Sequence, residues 1–177
     1  SSERNENAGD RANDALRVDA RDLRCKVIGE GGNLGVTQLG RIEFSSLGGR
    51  VFSDAIDNSA GVDCSDHEVN IQVLLNDVVS AGDMTYKQRN ELLARMTDEV
   101  GELVLRDNYL QTQALSMAQS QSVSMFDVHV RLIQKMERDG QIARAIEFLP
   151  GEDETLEGRH EGLGFYPTEL SVLYGQV

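Results

Sequence analysis

The sequence contains no tryptophan, only two prolines and only two cysteines among its 177 residues. Two cysteines, Cys25 and Cys64, are too few for a disulfide framework, which excludes the small disulfide-rich secreted domains and indicates a reduced, cytoplasmic protein. No apolar run comes near the roughly 18 residues that suggest a membrane helix, so we expect no membrane span. No basic segment followed by an apolar one opens the chain, so we expect no secretory signal.

Positive charge is also scarce, with 17 lysines and arginines against 30 aspartates and glutamates, for a formal net charge of -13. A chain this acidic repels phosphate backbones, so nucleic acid and anionic membranes are unfavourable partners. The simplest interpretation of the charge is a solvated surface. Apolar residues make up 40% of the sequence, which is enough for the core of one domain, with or without an appendage.

The chemical signals that are present concentrate before residue 70. The short β-branched run at residues 25–28 predicts a buried strand, and residues 50–53 (RVFS) predict a second short strand. Between them lie four glycines in residues 29–35, a segment that we call the glycine loop, because this glycine content cannot hold a regular element.

Apolar residues at helical spacing predict eight helices, at residues 11–18, 37–47, 65–82, 85–104, 110–118, 126–140, 142–149 and 167–177. Residues 37–47 also fit a strand by alternation, and we favour the short helix. Residues 65–68 and 85–88 are both capping boxes, in which a Ser or Thr and a Glu or Gln three residues later satisfy free N–H groups. Residues 54–63 are therefore predicted to be a loop, and residues 151–164 an acidic linker.

The glycine loop contains the pattern G-x-G-x-x-x-G after a predicted strand. One interpretation is a pyrophosphate loop, which requires a long helix immediately after it. A second is a sharp turn at a sheet edge. We favour a third, in which the loop lets its backbone or Asn33 approach a ligand, because the helix that follows is short.

Ser65 is predicted to be a helix N-cap rather than a nucleophile, because the sequence has no G-x-S-x-G motif and no evident base. Free N–H groups at a helix start attract carboxylates, so a capping serine could also hydrogen-bond a carboxylate substrate. Cys64 and His67 form C-x-x-H, which is half a zinc site, and with no second pair nearby we predict no metal.

Two segments resemble the glutamate dehydrogenases. Residues 26–33 (KVIGEGGN) resemble the A-x-x-x-E-G-A-N segment of that family, and residues 54–65 (DAIDNSAGVDCS) resemble its P-D-x-x-x-N-A-G-G-V-x-x-S segment. Three longer phrases look most like the very large bacterial NAD-specific glutamate dehydrogenases, namely residues 29–44, 53–71 and 103–116.

The resemblance implies oxidative deamination of L-glutamate to 2-oxoglutarate and ammonia, with hydride transfer to NAD. It implies cofactor contacts at Gly31, Gly32 and Asn33, and substrate contacts at Asn58, Val62 and Ser65. Asn33 would lie on the nicotinamide side, and Ser65 would hydrogen-bond the side-chain carboxylate of glutamate.

The chain departs from the ordinary family at Ser59 and Ala60, which stand where Ala and Gly are usual. The preference for NAD over its phosphate form rests on the resemblance alone.

The family's catalytic Lys and Asp and its pyrophosphate loop lie upstream, and this chain has no candidate for them. We therefore predict that the chain is a piece of a homo-oligomeric enzyme and that this piece is inactive by itself.

The predicted fold is α/β and helix-rich, with a partial Rossmann-like sheet edge followed by a helical segment. Residues 1–65 would be the distal part of a Rossmann-like nucleotide-binding domain, and residues 66–150 would be a helical segment that packs on it. Residues 151–177 would be an acidic linker and a truncated helix. The alternative is a non-catalytic helical interaction module with a degenerate nucleotide-fold edge.

Overall fold

A computed structural model describes residues 3–32 and 35–175, without the side chain of Arg159. The elements in this part of the chain are mainly helical. Its α-helices are α1 (Asn5–Ala8), α2 (Gln38–Ser46), α3 (Asp54–Asp57), α4 (Ser59–Ser80), α5 (Tyr86–Ser120), α6 (Phe126–Arg138), α7 (Glu152–Glu161) and α8 (Pro167–Gly175). None of them is long and apolar enough to cross a membrane.

The predicted α/β class, with its partial Rossmann-like sheet edge, is wrong, because residues 3–32 and 35–175 contain no strand or sheet and the class is all-α. The segments expected to be strands meet only at an isolated parallel bridge between Val27 and Arg50. The N–H of Ile28 donates to the carbonyl of Arg50, and the N–H of Arg50 donates to that of Lys26, both at 3.0 Å. One bridge gives no ladder, and Val27 is 64% exposed, so the β-branched residues at 25–28 form neither a sheet nor a buried segment.

The short helix expected after the glycine loop is confirmed as α2. The Thr37 hydroxyl caps it by accepting the N–H of Gly40 at 3.1 Å. Gly48 follows the helix with a φ of 88°, which favours glycine. A side chain at Gly49 would collide with the ring of Phe44, so this glycine permits a close approach. The ring belongs to a small core of Ala20, Phe44 and Val51, with Ile28 against it.

The described helices fall into two compact units, which we treat separately. The first unit comprises residues 1–57 and 113–177, and the second comprises residues 58–112. The predicted domain boundaries at residues 65 and 150 stay a prediction.

The first unit has one large apolar core. The expected apolar stripe of α6 is confirmed, since four of its residues are buried. The core contains Ile56, Leu115, Ala118, Phe126, Val130, Ile133, Met136, Ile142, Leu149, Phe165, Leu170 and Leu173. Burial in this core lowers the pKa of His129, whose ring lies edge-on to Phe165 with 5.7 Å between ring centroids.

The C-terminal part of the first unit differs from its prediction in two places. Residues 152–161 form α7 and not a linker, and Glu154 accepts the N–H of Gly151 at 2.7 Å near the start of this helix. Residues 142–149 contain a turn at residues 144–148 instead of the expected helix. The start of α8 at Pro167 is confirmed, and its residues Leu170 and Leu173 are both 0% exposed. This helix thus contributes two of the most deeply buried residues of the core.

The second unit is formed by α4 and the first part of α5, which run antiparallel. The Ser59 hydroxyl lies 2.9 Å from Oδ1 of Asn108 and 2.7 Å from Oε1 of Gln111. The capping box before α5 is confirmed, since the hydroxyl of Thr85 accepts the N–H of Gln88 at 3.3 Å. However, α5 continues without a break to residue 120, where two helices were predicted.

Candidate functional site

The glycine loop is exposed at Gly31 and Gly32, two of the predicted cofactor positions. A Cβ at either position would meet no atom within 4 Å, so packing within the described chain does not require glycine there. The third predicted position, Asn33, lies outside the described residues. The described part of the loop therefore presents its backbone to solvent.

The carboxylate of Glu30 lies at the base of the glycine loop and is 6% exposed. Its Oε1 accepts the N–H of Gly35, and it also accepts the N–H of Val36 at 3.0 Å. Its Oε2 accepts Nε and Nη2 of Arg41 at 3.2 and 2.6 Å. Four donors thus surround one buried carboxylate, as a buried charge requires.

Arg41 connects this carboxylate to other elements of the first unit. It belongs to α2 and is 5% exposed, and its Nη2 lies 3.4 Å from Oδ1 of Asp54 in α3. Its Nη1 donates to Oε1 of Gln38 at 3.3 Å, and the same oxygen accepts the hydroxyl of Thr168 at 2.9 Å. The network therefore reaches from the loop to α8.

Asp57 adds a third carboxylate to the network. Its Oδ2 accepts the backbone N–H of Glu30 at 2.9 Å. Burial raises the pKa of the Asp57 carboxyl, while the hydrogen bond from Glu30 opposes the rise. Glu30 is thus held by its backbone N–H, which bonds Asp57, while its side chain bonds the far end of the loop at Gly35 and Val36.

The three predicted substrate positions share one face of α4. Asn58, Val62 and Ser65 are spaced by four and three residues, which aligns them along a helix. Ser65 is exposed, and Val62 is 55% exposed. Val62 and Ser65 are thus accessible on the second unit, and Asn58, just before the helix, is half-buried.

The prediction that Ser65 caps a helix is wrong, because α4 begins at Ser59 and residues 54–63 are mostly helical. Ser65 lies in the second turn, where N–H groups already bond within the helix, so the argument from free N–H groups does not apply. Asn58 occupies the N-cap position. A Cβ at Gly61 would lie 2.9 Å from Oδ1 of Asn58, so this glycine gives the asparagine side chain room.

The C-x-x-H pattern lies on α4 as well. Nδ1 of His67 lies 3.0 Å from Oδ1 of Asp63, one turn earlier, and Cys64 is exposed. Within the described ranges, no three His, Cys, Asp or Glu residues are placed to hold a metal ion.

Sequence reasoning missed Glu30 and Arg41. A signal was present, because Glu30 is the sole acidic residue between Asp22 and Glu43 and is flanked by glycines. Arg41 lies three residues before the buried Phe44, on the side of α2 that faces inward. A charged residue on a buried face indicates a buried partner.

The chain belongs to the bacterial NAD-glutamate dehydrogenases, since the family model "Bacterial NAD-glutamate dehydrogenase, catalytic domain" matches residues 1–118. It is 57% identical over 173 residues to an NAD-specific glutamate dehydrogenase of Pseudomonas aeruginosa, and 56% identical over 173 residues to one of Halomonas elongata. It is 48% identical over 176 residues to one of Mycobacterium tuberculosis. These matches cover 98 to 99% of the chain but 11% of each relative.

Proposed function

We propose that the protein containing this chain oxidises L-glutamate with NAD, forming 2-oxoglutarate, ammonia and NADH. The observation that carries this proposal is the identity of 57% over 98% of the chain to an NAD-specific glutamate dehydrogenase. The chain spans 11% of that relative, so it supplies a part of the active site, and no catalytic residue is assigned within it. The protein is a cytoplasmic homo-oligomer in this proposal, and the isolated chain does not reduce NAD.

The chain contributes two sets of contacts in this proposal. Gly31, Gly32 and Asn33 contact the cofactor, and the open space over the first two supports a close approach of NAD to the backbone. On α4, Val62 contacts the methylene groups of glutamate, and the Ser65 hydroxyl donates a hydrogen bond to its side-chain carboxylate. Support for this second set comes from the shared, accessible face of the helix.

The exposed hydroxyl of Ser65 provides the sharpest test, in the full-length enzyme with this sequence. We expect Ser65→Ala to raise the KM for glutamate, or lower kcat/KM, ten- to a thousandfold, which corresponds to about 1–4 kcal/mol for a hydrogen bond to a charged group. Steady-state kinetics at saturating NAD measure this change. Asn70→Ala, on an exposed part of α4 turned away from Ser65, is the matched control and should leave both values unchanged.

Unchanged glutamate kinetics in Ser65→Ala would contradict the substrate assignment. Wild-type enzyme without glutamate-dependent NADH formation would contradict the proposed activity itself, and would favour the helical interaction module. NADH formation is followed by its absorbance, first in the wild type, which tests the activity, and then in Ser65→Ala, which tests the substrate contact.

A further inference from the structure

The glycine loop is closed by a side chain. The carboxylate of Glu30 accepts the N–H groups of Gly35 and Val36, five and six residues later in the chain. The loop residues that carry the predicted cofactor contacts lie between these two ends. Glu30 therefore holds its own end of the loop near Gly35 and Val36.

Arg41 fixes the carboxylate in turn. Two of its N–H groups bond Oε2 of Glu30, which leaves Oε1 to the loop. Both side chains are buried, and the loss of Arg41 would leave the buried Glu30 carboxylate without its counter-charge. Because Arg41 also contacts Asp54 and Gln38, the carboxylate is held against α2 and α3 of the first unit.

Gly31 and Gly32 are exposed, and a Cβ at either position would meet no atom of the described residues within 4 Å. The described side-chain contacts that constrain this segment are those of Glu30 at the base of the loop. A binding loop held in its bound arrangement loses less conformational entropy when the ligand arrives, and the ligand binds more tightly.

We propose that Glu30 and Arg41 are positioning residues for NAD, which hold the glycine loop in the arrangement that receives the cofactor. This inference rests on the proposed function, because it takes the described residues Gly31 and Gly32 as cofactor contacts. Neither Glu30 nor Arg41 touches the cofactor. A purely structural ion pair would stabilise the fold but would not change cofactor affinity separately from other kinetic parameters.

The first experiment measures loop order in the full-length enzyme by hydrogen exchange of a peptide covering residues 29–36. Glu30→Ala should accelerate exchange of the amides of Gly35 and Val36 at least tenfold. Arg144→Ala is the matched control, because it removes another largely buried arginine whose Nη2 lies 3.0 Å from Oε2 of Glu137. The control should leave exchange in the loop unchanged. Equal exchange in wild type and Glu30→Ala would overturn the proposal.

The second experiment separates cofactor from substrate kinetics in the same enzyme. Glu30→Ala should raise the KM for NAD at least tenfold, with the KM for glutamate within twofold of wild type at saturating NAD. Arg41→Lys keeps the charge without the fork of N–H donors, so it should retain part of the NAD affinity that Arg41→Ala loses. Arg144→Ala should lower thermal stability while both KM values stay within twofold.

The outcomes distinguish the inference from the proposed function. An active wild type with an unchanged KM for NAD in Glu30→Ala overturns the positioning role alone. A parallel rise in both KM values, matched by Arg144→Ala, also overturns it, because general destabilisation would then explain the effect. A wild type that forms no NADH from glutamate overturns the proposed function, and the positioning of NAD with it.

Discussion

The two units of the described chain differ in how many side chains they bury. In the first unit, a twelve-residue core includes Leu170 and Leu173, which are both fully buried. In the second unit, residues 58–112, Leu75 and Val104 alone are buried, each 7% exposed. Several large apolar side chains of the second unit are exposed, among them Val62, Val69, Val73, Leu74, Leu105 and Tyr109. The first unit can be stabilised by its own core, whereas the second leaves many of its large apolar side chains exposed.

The largest expected difference between the two units is in the stability lost when a buried leucine is truncated to alanine. Leu170→Ala deletes fully buried atoms and should lower the free energy of unfolding of the first unit by about 2–5 kcal/mol. Leu75→Ala should cost less, because the second unit has few buried neighbours to leave a cavity. Hydrogen exchange in α8 and α4 measures the two local stabilities, and equal losses would contradict the comparison.

The core of the first unit should also make its stability depend on pH. Burial raises the pKa of Glu169 to about 7 from 4.5, although the N–H of Tyr166, which this carboxylate accepts at 2.7 Å, opposes the rise. The folded chain therefore binds more protons than the unfolded chain between these values, so stability falls as pH rises from 4.5 to 7 and stays low above it. The full loss is on the order of 3 kcal/mol, at about 1.36 kcal/mol per pKa unit.

Glu169→Gln retains an oxygen for the N–H of Tyr166 and removes the titration. We expect the variant to lose much less stability than the wild type between about pH 5 and about pH 8, a range that covers most of the interval between the two pKa values. Glu157→Gln, at an exposed position of α7, is the control and should keep the wild-type dependence. Chemical denaturation across this pH range measures the effect, and a wild-type slope in Glu169→Gln would refute the assignment.

The second unit should respond to substitutions through its site more than through its stability. Gly61→Ala places a Cβ 2.9 Å from Oδ1 of Asn58, so the asparagine must move. Because alanine also favours the helix by up to about 1 kcal/mol, we expect little net change in stability. In the full-length enzyme, the displaced side chain should raise the KM for glutamate severalfold, and an unchanged KM would argue against a substrate role for Asn58.

The smallest effect is expected at Gly101, in the interior of α5. A Cβ there would meet no atom within 4 Å. Gly101→Ala should therefore stabilise the second unit by about 0.5–1 kcal/mol through helix propensity alone. Hydrogen exchange in α5 measures the gain, and a destabilised helix would show that the position is more crowded than the structure indicates.

The sequence predicted those elements whose signals are local. Thr85 and Gln88 lie three residues apart and cap α5, and the apolar stripe of α6 is contained in a single helix. The predicted strands failed because four-residue segments such as CKVI and RVFS are too short to show a period, and a short extended segment gives the same pattern without a sheet. The predicted capping box at residues 65–68 was wrong because α4 begins six residues earlier, at Ser59.

The candidate site was predictable in part for the same reason. The spacing that aligns Asn58, Val62 and Ser65 is a local property of a helix, although their roles come from the resemblance and stay predictions. The pairing of Glu30 with Arg41 joins residues 11 positions apart through a loop and a helix start. No periodicity connects such residues, so the pairing became visible only in the folded chain.

The open space around Gly31 and Gly32 determines which selections could detect these residues. An alanine at either position would meet no atom of the described chain, and it would reduce the entropy of the unfolded state. A library sorted for expression or heat resistance would therefore retain such variants. A library sorted for cofactor capture would discard them if the loop binds NAD as proposed, so the difference between two sorted pools would identify the binding surface without any structure.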